Sequence, residues 1–145
     1  MIISIIEGIS VALNEEFGDS YEIHMEEIRQ GMQEPCFFIS PISPVFMQYF
    51  SNRYQSVNPY CIQYFPAGDE VQRECACVAE RMYGCLEYIT VSGDTKPVRG
   101  TKMSYQVVDR VLNFFVNYDL FVVRKKEEPE AMESMQASAG VKEGD

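Results

Sequence analysis

The sequence predicts an α/β protein of the α+β type, with a mainly antiparallel sheet and two helices packed on one face of that sheet. Two stretches carry the three-to-four-residue apolar spacing of amphipathic helices. The segments around them alternate between apolar and polar residues, as half-buried strands do. Turn residues separate these segments, and the predicted order is α-β-β-β-α-β-β.

The first predicted helix covers residues 2–17, where large aliphatic residues recur on one face and Gly18 offers a natural end. A first strand is expected at 21–28, with His24 between two glutamates on its polar side. A second strand begins near Cys36.

The aromatic segment 44–60 is interpreted as the end of one strand, a turn near Ser51–Asn52 and the start of the next strand. Residues 60–65 complete that next strand. The second helix is expected over 70–90, with Asp69 as its capping residue.

Residues 98–123 are too long for one strand, so the chain is predicted to fold back at Asp109–Arg110. This pairing places Tyr105 beside Phe114 and separates apolar from polar side chains almost completely. Because arginine is a poor residue for the positive φ of a tight turn, a four-residue loop over 108–111 is the alternative. The polar face of this hairpin presents Lys102, Gln106, Asn113, Asn117 and Asp119.

One globular domain is expected over residues 1–124, followed by a disordered acidic tail at 125–145 that has no apolar period. The net charge of the chain is −10, and the tail, with three lysines against six carboxylates, contributes −3 of it, which leaves −7 for the domain. Such a surface repels phosphate backbones, so sequence-specific binding of nucleic acid is not expected. The apolar N-terminus is too short to span a bilayer, so no membrane contact is expected either.

No constellation of residues suggests catalysis, a cofactor or a metal. The five cysteines have no framework spacing and are expected to be reduced, buried thiols. Cys75 and Cys77 would point some 200° apart on a helix, so they cannot bind one metal ion together. His24 could act as a base beside its glutamates, but a surface histidine is the plainer interpretation.

The least ordinary feature is an aromatic cluster within the segment 44–60, formed by Phe46, Tyr49, Phe50, Tyr54 and Tyr60. Stacking on nucleic-acid bases would need basic residues, and only one arginine is present there. Tyrosine, phenylalanine and arginine are also favoured at protein interfaces, which makes the cluster a candidate interface, with core packing as the alternative. The candidate residues are Phe46, Tyr49, Phe50, Arg53 and Tyr54.

Three strings resemble the tail terminator-like proteins of prophages in Gram-positive bacteria: GDSYEIHMEEIRQGMQEPCFFI, RYQSVNPYCIQYFP and RGTKMSYQVVDRVLNFFVNYDLFV. The resemblance covers roughly residues 1–123. It implies a structural protein that forms a hexameric ring on the finished tail tube, ends polymerisation of the tube and offers a surface to the head connector. It implies no catalytic residues.

The partners implied by this resemblance are further copies of the chain, the tail tube protein and the head–tail connector protein. The implied location is the bacterial host cytoplasm during assembly and then the virion tail. Arg53, Tyr54, Asn58 and Pro59 lie within one matching string, and their position suggests ring contacts. The alternatives are another neck or head–tail completion protein, or a small ligand-binding or hydrolytic domain that uses His24.

Overall fold

The structure is a computed structural model that describes residues 2–25, 33–91 and 96–123. Within these residues it has two helices and seven strands, which confirms the α+β class. The helices are α1 (Ile2–Phe17) and α2 (Val71–Cys85). The strands are β1 (Glu22–His24), β2 (Cys36–Pro41), β3 (Val45–Phe50), β4 (Arg53–Phe65), β5 (Tyr88–Ile89), β6 (Val98–Val108) and β7 (Val111–Val123).

The described strands form a mixed sheet in the order β1-β2-β4-β7-β6-β5, with β3 paired to β4. The pairs β2–β4, β5–β6 and β6–β7 are antiparallel, as predicted for most of the sheet, whereas β1 runs parallel to β2. A parallel pair needs a connection longer than a hairpin turn. No local sequence pattern predicts the parallel pairing.

Helix α1 ends where the sequence predicts. Gly18 has a φ of 89°, and its amide donates to the carbonyl of Asn14 at 2.8 Å. This is the left-handed position that glycine tolerates best at a helix end.

Helix α2 is shorter than predicted, because the apolar stripe continues after the helix has ended. Leu86 and Ile89 are buried as expected, but they follow the last helical residue, and Ile89 belongs to β5. The predicted capping by Asp69 is wrong as well. The capping position is Glu70, whose side chain makes no capping hydrogen bond.

Four described strands, rather than three, precede α2. Pro41 ends β2, since proline has no amide proton to offer a sheet ladder, and Ser43 follows with a φ of 44°. β3 is therefore a separate strand, and a two-residue turn at Ser51–Asn52 joins it to β4.

The β6–β7 hairpin confirms the predicted pairing of Tyr105 with Phe114. Its turn has two residues and is tighter than the four-residue loop that was the alternative. Val108 pairs with Val111, and the two residues between them have φ angles of 53° and 65°. Positive φ at both central positions is the geometry of a primed hairpin turn, which suits the twist of the strands. The loop alternative is therefore wrong.

The predicted register of this hairpin fails near the start of β6. Thr101 pairs with Asn117 and Gly100 pairs with Tyr118, whereas a fold-back at Asp109–Arg110 without interruption predicts Tyr118 and Asp119 as their partners. The register shifts between Thr101 and Ser104, where Lys102 has a φ of 53°. Two residues of β6 thus oppose one of β7, which is a β-bulge.

The chain divides into two compact units. The main unit comprises residues 1–45 and 56–120, and the second comprises 46–55 and 121–145, of which 46–55 and 121–123 are described. The prediction of one domain over 1–124 stays a prediction, and the predicted tail at 125–145 lies outside the described residues.

The buried core lies in the main unit, between the two helices and the sheet. Aromatic rings fill one end of this core: Phe37 lies 5.0 Å from both Phe17 and Tyr64, between ring centroids. The largest fully buried side chains are Tyr60, Tyr64, Tyr118, Phe37, Phe114, Ile5, Ile9, Leu13, Ile39, Ile62, Met82 and Leu86.

Candidate protein interface

The aromatic hairpin, defined here as residues 45–55, exposes apolar side chains on both faces of a strand. All six residues of β3 are exposed, and Tyr49 and Phe50 leave 56% and 66% of their surfaces open. A strand in a monomeric fold normally buries one face. β3 buries neither among the described residues, so its sequence is not explained by the core of its own chain.

Ring contacts order this second unit without burying it. Phe46 stacks on Tyr54 with centroids 4.9 Å apart and planes 4° apart. Tyr49 meets Phe121 edge to face at 6.1 Å. Such pairs fix ring orientations, so the exposed rings are held in place before any partner binds.

All five residues of the predicted interface lie in this hairpin. Phe46, Tyr49, Phe50 and Arg53 are exposed, and Tyr54 is half-buried beneath Phe46. The core alternative does not fit the burial of these five residues, but it does fit Tyr60, the remaining ring of the cluster, which is fully buried. Their role at an interface stays a prediction.

Sequence reasoning missed three further apolar side chains of this surface. Val45 and Met47 are each 45% exposed, and Phe121 is 70% exposed. The alternation of β7 placed Phe121 on the same side as three polar residues of that strand. A phenylalanine in that position was the signal for an additional contact surface.

The polar residues of the sheet bind each other rather than converge on a reactive centre. Asn113 accepts a hydrogen bond from Gln63 at 3.1 Å and donates to the carbonyl of Val111 at 3.3 Å. Lys102 and Gln106 are exposed. This face carries a hydrogen-bond network and has no arrangement suited to proton transfer.

Asn117 is only 5% exposed, although the pattern placed it on the polar side. Its amide donates to Asp119 at 2.7 Å and to the Thr101 hydroxyl at 3.3 Å, and that hydroxyl donates to the Asn117 carbonyl at 3.2 Å. These bonds join β6 to β7 next to the bulge. The predicted polar surface is therefore partly internal structure.

Asn58 is also buried, at 1% exposure. Its amide donates to the carbonyl of Tyr118 at 3.1 Å and to the Ser56 hydroxyl at 2.9 Å. Asn58 thus holds β4 against β7, which is a role inside its own chain rather than the ring contact suggested by its position in the sequence.

Nε2 of His24 lies 3.0 Å from a carboxylate oxygen of Glu22. Among the described residues, no group of three or more histidine, cysteine and acidic side chains could hold a metal ion. Cys75 is buried and Cys77 is exposed, which agrees with their predicted divergence and corrects the expectation that every thiol is buried.

The buried thiols are poorly suited to nucleophilic chemistry. Burial is the main cause that raises the pKa of Cys36 to about 11, with Glu22 and Glu34 adding to it. Burial likewise raises the pKa of Cys85 to about 12. Because the thiolate is the reactive form, these side chains behave as small apolar residues at neutral pH.

No helix in the described part of the chain is long and apolar enough to cross a membrane.

A comparison with known protein families gives a match. The family model described as phage tail terminator protein covers residues 4–130, which include α1 from Ser4 onwards, all of α2 and the seven described strands. No curated protein matches the chain.

Proposed function

The chain belongs to the phage tail terminator family, and we propose on that premise that it caps the tail tube, ends polymerisation of the tube and joins the tail to the head connector. Membership makes it a structural phage tail protein and a component of the virion tail. The proposal adds the sequence of events: assembly in the bacterial host cytoplasm, closure of a ring of six copies on the tube end, and docking of the connector.

The aromatic hairpin is the observation that carries this proposal. A terminator has to hold neighbouring copies and the tube at once, and a cyclic assembly needs one patch that binds a different patch of the next copy. Exposed aromatic, methionine and arginine side chains are the composition of such a patch. Small contacts suffice, because six sites on one tube end raise the effective concentration.

The thiols and the polar residues of the sheet support a structural role rather than an enzymatic one. Burial raises the pKa values of the Cys36 and Cys85 thiols, and several polar residues of the sheet hydrogen-bond to each other. We therefore propose that the protein has no catalytic activity and needs no cofactor. Another neck or head–tail completion protein remains the competing function.

The test is the double variant Tyr49→Ala with Arg53→Glu, in an assembly reaction with the tail tube protein. Both side chains are exposed, so the fold is expected to persist while capping is lost and tubes grow overlong in electron micrographs. The matched control is Val108→Ala with Arg110→Glu, which also trims an exposed apolar side chain and reverses one positive charge. We expect capped tubes of normal length from the control.

Two results would contradict the assignment. Capped tubes of normal length with the double variant would show that the hairpin is not the interface. Loss of the folded circular dichroism signal would show instead that these aromatic residues stabilise their own chain.

A further inference from the structure

We propose that the aromatic hairpin of one copy docks into a groove between α1 and β5 of the neighbouring copy. This inference rests on the proposed ring and specifies its contact. The acidic groove, as we name it, is lined by Gly8, Val11, Ala12, Glu15 and Glu16 of α1 and by Tyr88 of β5.

The floor of the acidic groove is set by the close approach of α1 to the chain that follows β5. A Cβ at Gly8 would lie 2.6 Å from the carbonyl oxygen of Thr90, so only glycine permits this approach. Two apolar side chains of its walls are open to solvent: Val11 is 56% exposed and Tyr88 is 54% exposed. Val11 and Tyr88 thus form a small apolar patch with no covering element among the described residues.

The size of the groove favours protein side chains over a small molecule. Its volume is about 250 Å³, whereas sites for small molecules typically hold about 300–1,000 Å³. One or two side chains at the centre of an interface usually carry most of its binding energy, and aromatic residues in pockets are the commonest of these. Phe50 is the most exposed aromatic side chain of the hairpin, and we expect it to enter the groove.

Charge complementarity favours the aromatic hairpin as the occupant of the acidic groove. Glu16 is already engaged by Arg81, which donates to its carboxylate at 2.9 Å and to its carbonyl at 2.7 Å. Glu15, at the rim, has no ion pair among the described residues, and neither has Arg53 on the hairpin. In a chain with 12 basic and 22 acidic residues, an arginine beside exposed aromatic side chains is a distinctive match for an apolar groove with an acidic rim.

The occupant is a second copy of this chain because donor and receptor are different patches. A contact between unlike patches is head-to-tail, and it closes into a ring when the rotation between copies allows. Each copy then gives one hairpin and receives another. No further surface is required for the ring itself, which leaves the sheet face for the tube or the connector.

A charge-swap experiment tests the pairing of Arg53 with Glu15. Arg53→Glu and Glu15→Lys should each raise the protein concentration needed for half-maximal tube capping on the order of tenfold, since each replaces attraction with repulsion. The double variant should restore capping to near the original concentration. Glu80→Lys, an equivalent charge change at an exposed position of α2, should have no effect. If the effects of Arg53→Glu and Glu15→Lys simply add in the double variant, the pairing is wrong.

Photo-crosslinking separates failure of this inference from failure of the proposed function. A benzophenone amino acid in place of Phe50, in the full chain assembled on tail tubes, should crosslink to peptides that contain Val11 or Tyr88 of another copy. Crosslinks to the tube protein, or to another region of the chain, would overturn the groove while leaving the hairpin as an interface. Normal capping without any crosslink would overturn both the groove contact and the role of the hairpin as an interface.

Discussion

Glu74 organises the loop that leads into α2, a task that sequence patterns assigned to Asp69. Its carboxylate accepts hydrogen bonds from the hydroxyl of Tyr64 at 2.6 Å and from the amides of Ala67 and Gly68 at 3.2 and 3.0 Å. Tyr64 is buried. A carboxylate within the first turn also suits the positive end of the helix dipole. One acidic side chain therefore fastens the core, the loop and the helix start together.

Replacing Glu74 by glutamine tests this arrangement. All three partners donate, and glutamine offers one acceptor oxygen and one donor group, so at least one bond is lost near a buried hydroxyl. We expect Glu74→Gln to lower the free energy of unfolding by about 1–2 kcal/mol in urea titrations. Glu80→Gln, exposed on the same helix, is the control and should change little. Equal stability of both variants would contradict the assigned role.

At the scale of elements, the sequence predicted what depends on periodicity and missed what depends on backbone detail. The β6–β7 pairing was predictable because a wrong register mixes apolar and polar side chains. The bulge at Lys102 and the tight turn through Arg110 were not, since both need positive φ at residues that do not usually adopt it. The parallel pairing of β1 with β2 depends on contacts that no local pattern specifies.

The candidate interface also has a part that the sequence predicts and a part that only the fold shows. Its aromatic residues were predictable, because so many rings beside one arginine are unusual in a core strand. The contribution of Phe121 was not, since its contact with Tyr49 joins distant parts of the sequence. The acidic groove could not be predicted either, because Tyr88 is distant from α1 in the sequence and only the fold brings the two together.

Two helical glycines give a matched test of helix packing. A Cβ at Gly8 would lie 2.6 Å from the Thr90 carbonyl, whereas a Cβ at Gly84 would have no atom within 4 Å. Alanine gains helix propensity at both positions, but only Gly8→Ala must displace backbone. We expect Gly84→Ala to raise the free energy of unfolding by about 0.5 kcal/mol and Gly8→Ala to lower it by about 1–2 kcal/mol. Thermal unfolding of both variants checks this.

The two glycine variants also bear on the acidic groove. Since α1 must move away from Thr90 to accommodate Gly8→Ala, the groove changes shape, and tube capping should weaken along with stability. Gly84→Ala should leave capping unchanged. A Gly8→Ala protein as stable as the original would show that α1 does not pack as closely as described.

At the scale of the whole molecule, the core and the candidate interface occupy separate units. Every residue of the buried hydrophobic cluster belongs to residues 1–45 or 56–120, and none belongs to the aromatic hairpin, which lies in the second unit except for its first residue, Val45. Substitutions in the exposed hairpin can therefore change assembly with little effect on folding. This separation is what makes the interface variants above informative.

The fold favours the protonated forms of several tyrosine hydroxyls and cysteine thiols in or beside the core. Burial raises the pKa of Tyr60 from 10.0 to about 12, and the pKa of Cys36 rises from 9.0 to about 11 for the same main reason. Burial also raises the pKa of Cys85 from 9.0 to about 12. The pKa values of Tyr64 and Tyr118 are raised too, again chiefly by burial. Ionisation of these groups is thus easier in the unfolded chain than in the folded one.

Alkaline pH should therefore unfold the protein in a defined range. Above about pH 9 the unfolded chain releases protons that the folded chain retains, so the unfolded state binds fewer protons and stability falls as pH rises. Below pH 9 these groups are protonated in both states and add no pH dependence. We expect urea midpoints to fall progressively from pH 9 to pH 12. In Cys36→Ala the decline between pH 9 and pH 11 should be shallower, because one titrating thiol is gone. Midpoints that stay constant or rise over this range would show that the core does not hold these groups protonated.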